Sequence, residues 1–282
     1  MRYWHAILTF ACSMFCIHSI PVSQENCGRS SVTFTRIVGG QEATLGAWPW
    51  MAIMFVVRRG RRSPECGGAL VTDSHVITAA HCVVTSRRGN TINPRSLLVR
   101  LGEHDIENDN DGAKHLDVTV RFIIRHEHFN LRTFQNDIAI LVLSSSIKFT
   151  QNISPICLPF QQFTDDTLAQ RNAMTAGWGT ISFGGPSSSK LMEVQLRIWQ
   201  NPACRRIFRN DVPITNANLC AGDGDKDACS GDSGGPLMLT DEANRFYLIG
   251  IVSFGKKCGE PGIPGVYVRV STFLDWIEQK LE

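Results

Sequence analysis

A chain of 282 residues with 43% hydrophobic and 19% charged positions can bury a large core in one or two compact units, which excludes a disordered or fibrous protein. Twenty-eight basic and 26 acidic residues leave a formal charge of +2, too mild to make nucleic acid a general partner, so any basic effect must be local.

Arg2 is followed by a mainly apolar run over residues 4–20, broken by His5, Ser13 and His18 and ended by Pro21. The run is short for a membrane span, and its flanks suit a secretory signal peptide over residues 1–23, cut near Ser19 or Ser23; an uncleaved anchor is the lesser alternative. Residues 24–36 read as a short polar propeptide, after which comes RIVGG (36–40). From residue 37 onward, β-branched and apolar runs alternate with Gly, Asn, Asp and Pro turns: LLVRL (97–101), DVTVRF (117–122), DIAILVL (137–143), FYLIGIVSF (246–254) and GVYVRV (265–270). With no helical pattern between them, they predict an all-β chain of antiparallel barrels or sandwiches. Only the end reads as a helix, with Ser271 as its cap and Leu274, Ile277 and Leu281 at helical spacing.

Export changes how the ten cysteines are read. Cys12 and Cys16 would leave with the signal. Cys27, Cys66, Cys82, Cys157, Cys204, Cys220, Cys229 and Cys258 then form an even set suited to disulfides, whose connectivity parity does not choose. The absence of any Cys-x-x-Cys pair argues against zinc.

Three short stretches carry chemistry: TAAHC (78–82), NDIAIL (136–141) and DACSGDSGGP (227–236). A serine hydroxyl is a poor nucleophile at neutral pH and needs a base; an imidazole suits that role, and a carboxylate on its other nitrogen fixes the tautomer. Asp137 among apolar neighbours would otherwise be costly to bury. RIVGG, TAAHC, DIAIL and GDSGGP, in this order, resemble the trypsin or chymotrypsin-like serine proteases, and the resemblance covers residues 37–282. Histidine, aspartate and serine follow one another along this chain in the same order as in the chymotrypsin triad.

The resemblance implies two packed antiparallel six-stranded β-barrels, about 37–151 and 152–282, with a C-terminal helix. It implies peptide-bond hydrolysis with His81 as base, Asp137 as its orienting acid and Ser233 as nucleophile, and with the amides of Gly231 and Ser233 as the oxyanion hole. Cleavage after Arg36 would free an amino group on Ile37 to pair with Asp232. Asp227 corresponds to the carboxylate at the floor of the primary pocket, which predicts cleavage after Arg or Lys. Ser253, Gly255 and Gly265 resemble its walls, Ala228 in place of a common serine favours Arg, and Phe254 supplies an apolar shelf. Family positions suggest the pairs Cys27–Cys157, Cys66–Cys82, Cys204–Cys220 and Cys229–Cys258.

Longer segments, among them GWGTISFGGPSSSKL and KDACSGDSGGPLML, resemble the clip-domain family of arthropod clotting and immune-cascade proteases. That implies a secreted zymogen acting on other secreted zymogens, with an upstream activating protease and protein inhibitors as partners and no required cofactor. The six-cysteine clip module itself is not found ahead of Arg36, so a venom or digestive enzyme stands as the alternative, and an inert homologue used as a binder as a further one. Three features remain open. RRGRR (58–62), with Arg58, Arg59, Arg61 and Arg62, is either a solvated loop or a contact for a polyanion or acidic patch, to which Lys256 and Lys257 would add. GEHDIENDNDG (102–112) offers Glu103, Asp105, Glu107, Asp109 and Asp111 to a structural calcium ion, or is a metal-free acidic turn. Asn152 in NIS is a glycosylation acceptor.

Overall fold

The computed structural model describes residues 26–32, 40–85, 89–160, 163, 168–180, 185–222, 231–256 and 259–282. Six strands close into a barrel in the order β2 (Met51–Arg58), β3 (Arg61–Leu70), β4 (His75–Thr78), β7 (Ala139–Leu143), β6 (Leu116–Arg125) and β5 (Leu97–Leu101). Near-continuous apolar stretches such as MAIMFVV and AILVL lie along this wall, and nearly all of their residues are buried. The tip joining β2 to β3 is a two-residue turn at Arg59 and Gly60, with φ of 51° and 79°; two consecutive left-handed residues match the twist of the flanking strands.

The second sheet runs β1 (Gln41–Glu42), β9 (Met192–Arg197), β8 (Asn172–Gly177), β11 (Pro236–Thr240), β12 (Phe246–Phe254), β13 (Gly265–Arg269) and β10 (Asn218–Ala221). This refines the expected six-stranded barrel. Six strands are present and their edges meet through a bridge between Ile198 and Ala221, with Trp199 N donating to Cys220 O at 2.8 Å. The seventh, β1, comes from the first half of the chain and pairs Gln41 with Glu193. Glu193 is buried, yet both oxygens are used: Gln41 Nε2 donates at 3.0 Å and Trp48 Nε1 at 2.7 Å.

Two helices depart from the sequence reading. α1 (Asn201–Phe208), with Pro202 in its first turn and Cys204 and Phe208 buried, was not expected. α2 (Leu274–Leu281) was, but Ser271 falls inside a preceding 3-10 turn (Val270–Phe273) and no side chain caps the helix. Although α2 follows the second sheet, it packs on the first barrel: Trp276 Nε1 donates to Glu127 Oε2 at 2.8 Å, and Lys280 lies 3.0 Å from Glu127 Oε1. The two halves share one core in which Trp50 stacks near Trp48 and Phe246, at centroid distances of 5.9 and 5.5 Å. Disulfides join Cys27 to Cys157, Cys66 to Cys82 and Cys204 to Cys220. The fourth pair, Cys229 and Cys258, lies outside the described residues.

Candidate active site

His81 sits in a 3-10 turn (Ala80–Val83) where the chain leaves β4. Two ties fix that turn to β3: the Cys66–Cys82 disulfide, and Thr78 Oγ1 donating to Gly67 O at 2.8 Å. Asp137 precedes β7 and has no exposed surface. Asn136 before it is left-handed, with φ 55°, which shortens the predicted strand by two residues and turns Asp137 toward the histidine.

Asp137 Oδ1 accepts from His81 N at 2.8 Å, and Oδ2 accepts from His81 Nδ1 at 2.8 Å and from Ser253 Oγ at 2.5 Å. Three donors offset the cost of burying this carboxyl group. Since Asp137 accepts all three bonds, Nδ1 carries the hydrogen and Nε2 presents its lone pair. The hydroxyl of Ser253, a residue expected at a pocket wall, thus also holds the acid. Sequence reasoning missed this role, because nothing local links residues 116 positions apart.

The turn bearing Ser233 is wedged between the two halves. Gly67 N donates to Ser233 O at 2.7 Å, and Gly234 N to Val252 O at 2.8 Å. Gly67 thus holds both the histidine turn and the serine turn. Among the described residues the Ser233 hydroxyl and the amides of Gly231 and Ser233 make no hydrogen bond; nucleophile and base often draw together only on binding. Gly231 has φ 102°, and a Cβ there would lie 2.8 Å from Gly179 Cα, so glycine is required on both counts.

The Asp232 carboxylate lies against the segment Gly177–Gly179. Its Oδ1 accepts from Gly179 N at 2.9 Å, and it fills the space where side chains at Gly177 and Gly179 would stand. Its expected partner Ile37, with Arg36, lies outside the described residues, as do Asp227, Ala228 and Lys257. Gly255 is exposed at the end of β12, and Gly265 is buried where β13 begins, opposite Ala221.

Phe254 belongs to a larger aromatic shelf than the sequence suggested. Phe134 stands edge-on to His81 at 5.6 Å and 5.3 Å from Phe254, and Phe208 of α1 lies 6.0 Å from Phe254. Phe134 is three residues ahead of Asp137 in the sequence, a proximity that could have flagged it. Lys256 does not join the basic hairpin: it pairs with Asp211 at 2.6 Å and lies over Phe208.

Three carboxylates of the acidic loop, those of Glu103, Asp105 and Asp111, have partners within the chain. Glu103 accepts from Arg100 Nη1 at 2.9 Å and from His104 N at 2.8 Å, with His115 Nδ1 at 3.2 Å. Asp105 Oδ1 accepts from Glu107 N, while Asp111 accepts from the amides of Asp105 and Ala113. Among the described residues, no group of three or more carboxylates converges as ion ligands would. Burial raises the Asp117 carboxyl, but hydrogen bonds from Arg100 and Arg62 outweigh it and hold it below its ordinary value. Asn152 is half-buried over Gly46. Of the other described histidines, His104 is 3.1 Å from Glu42, and the His126 ring lies 5.1 Å from that of Trp276.

An imidazole fixed by a buried carboxylate, with a serine turn held on the same strand, is the arrangement of a serine hydrolase. A family model described as Trypsin matches residues 37–277. The chain is 53% identical to the proclotting enzyme of Tachypleus tridentatus over 264 residues, 93% of this chain and 70% of that protein. It is 39% identical to venom serine protease Bi-VSP of Bombus ignitus, covering 90% and 71%, and 39% identical to trypsin-1 of Astacus astacus, covering 86% and 98%. The chain belongs to the trypsin family and is a trypsin-like serine endopeptidase.

Proposed function

We propose that this chain is a secreted zymogen, cut after Arg36, whose active form hydrolyses proteins after Arg and, more slowly, Lys, within a clotting or immune cascade. The observation that carries the reading is Asp137 accepting from both N and Nδ1 of His81 while fully buried. His81 Nε2 takes the proton of Ser233 as its oxygen attacks the scissile carbonyl, and the acyl-enzyme forms as that proton passes to the leaving amine. Water then attacks by the same route in reverse. The Gly231 and Ser233 amides receive the oxyanion, and losing one such donor typically costs about 10²–10³ in turnover.

The ammonium freed on Ile37 pairs with Asp232, which already turns inward onto Gly179 N. Asp227 at the pocket floor selects a guanidinium, and Ala228 offers no hydroxyl to an ammonium. The substrates are other secreted zymogens, the identity to a proclotting enzyme supporting this over bulk digestion. Cys27–Cys157 keeps the cut propeptide attached. Asn152 is the glycosylation acceptor.

The test is to cut the chain after Arg36 and compare peptides differing only in the residue before the scissile bond. Arginine faster than lysine, both far above leucine or phenylalanine, with no hydrolysis by Ser233→Ala, is the expected result. Preference for an apolar residue would overturn the pocket assignment, and equal rates on many unrelated proteins would favour a venom or digestive role.

A further inference from the structure

The small net charge conceals an uneven surface. At the tip of the β2–β3 hairpin, Arg58 stands opposite Arg61, with Arg59 in the turn between them. The register continues around the barrel: Val56 of β2 lies opposite Leu97 of β5, and Leu98 of β5 opposite Thr119 of β6. Both pairings end there: β2 runs on to Arg58, β5 is preceded by the 3-10 turn Pro94–Ser96 that carries Arg95, and β6 runs on to Arg121 and Phe122. The turn packs against both β2 and β6.

Arg58, Arg59, Arg61, Arg95 and Arg121 are all exposed, and among the described residues none of these five guanidinium groups forms an ion pair. The neighbouring carboxylate, Asp117, is committed elsewhere: it holds Arg62 at 2.6 Å and Arg100 at 2.6 Å, anchoring the hairpin stem. Phe122 is 54% exposed, and the Arg121 guanidinium lies 5.1 Å from its ring centroid.

We propose that this end of the first barrel is a docking surface for a linear sulfated polysaccharide. Adjacent strands are about 4.8 Å apart, so a belt across β3, β2, β5 and β6 spreads its charges over about 15 Å, a length that several anionic groups of one chain match better than a single ion. All five groups are guanidiniums, whose forked donors fit sulfate oxygens two at a time. A folded acidic partner would bring an apolar interface core. Here the only exposed large apolar side chain of the belt is Phe122, and Arg121 stacks against it. None of the five touches His81, Asp137 or Ser233, so the surface gathers the enzyme onto a polymer without entering its chemistry, and it stands independently of the activation and specificity proposed above.

The full chain, applied to immobilised heparin and eluted with sodium chloride, tests this beside the exposed-charge variants R58Q/R61Q and R95Q/R121Q. Near 0.1 M ionic strength each pair should weaken binding about tenfold, and the four changes together should leave no more retention than on neutral agarose. The control pair R206Q/R209Q, in the last turn of α1 and at its C-cap, removes equal charge from the second half and should elute with the parent. Unchanged melting and unchanged hydrolysis of a small arginyl amide after activation verify folding. Equal weakening by both sets would overturn the surface in favour of net charge. Failure of the parent to bind heparin, or binding to polyglutamate alone, would overturn the polysaccharide in favour of no ligand or an acidic protein.

Discussion

Ser253 Oγ donates to Asp137 Oδ2 at 2.5 Å from the second half of the molecule to the first, so the acid that orients His81 is held from both sides. A bond to a charged acceptor contributes about 1.5–3 kcal/mol, most of it to keeping the imidazole aimed. Ser253→Ala should therefore lower kcat at least about tenfold with KM little changed, as steady-state kinetics would show. An unchanged kcat would show that His81 and its backbone amide suffice to hold the acid.

Phe134 closes the rim between His81 and Phe254, both within 5.6 Å by ring centroid. Its replacement by alanine removes an apolar wall where residues preceding the cleaved arginine would rest. KM for peptides with an apolar residue there should rise about tenfold, the scale of losing one side chain's contact area, while kcat holds. Steady-state kinetics on paired apolar and glycine-containing peptides check this; equal effects on both would place Phe134 outside the substrate path.

Glu127 ties α2 to the first barrel. Its own backbone amide, then Lys280 and Trp276, lower its carboxyl from about 4.5 to about 2. A carboxyl depressed on folding stabilises above its unfolded value and loses that contribution as pH falls toward the folded one. The stability difference between parent and Glu127→Gln should be constant above pH about 5 and vanish between about 4.5 and 2. It should stay below about 1 kcal/mol, because the side chain is half exposed and screened. Denaturant titration across this range checks it; a difference growing toward acid would contradict the sign.

Arg100 is the internal cation of the acidic loop, 2.6 Å from Asp117 and 2.9 Å from Glu103. Melting should be the same with millimolar calcium as with chelator. Arg100→Gln should lower stability by about 3 kcal/mol, the scale for breaking a largely buried pair. A rise of several degrees on adding calcium to the parent would show that carboxylates in this loop bind the ion after all.

The sequence made the strands legible where apolar runs were bounded by turn residues: β5 and β12 fall on the predicted residues, and β6 extends the prediction at both ends. Local signals failed where structure is set by distant partners. β1 belongs to the second sheet only because Glu193 and the β9 edge receive it. α1 offers eight residues, too few for a clear helical period, and Ser271 caps nothing because the 3-10 turn starts one residue earlier. His81 and Asp137 were legible as motifs and the structure brings them together, whereas Ser253 and Phe134 acquire their places only through the approach of β12 to the histidine turn.

The most direct measurement compares three forms of the chain on one arginyl amide: uncut, cut after Arg36, and processed so that one extra residue precedes Ile37. If the amino group of Ile37 reaches Asp232 and orders the Gly231 and Ser233 amides, only the second form is active, with rates at least about 10³ above the others, as expected when buried charge pairing and oxyanion donors are lost together. Comparable rates from the extended or uncut forms would contradict the account.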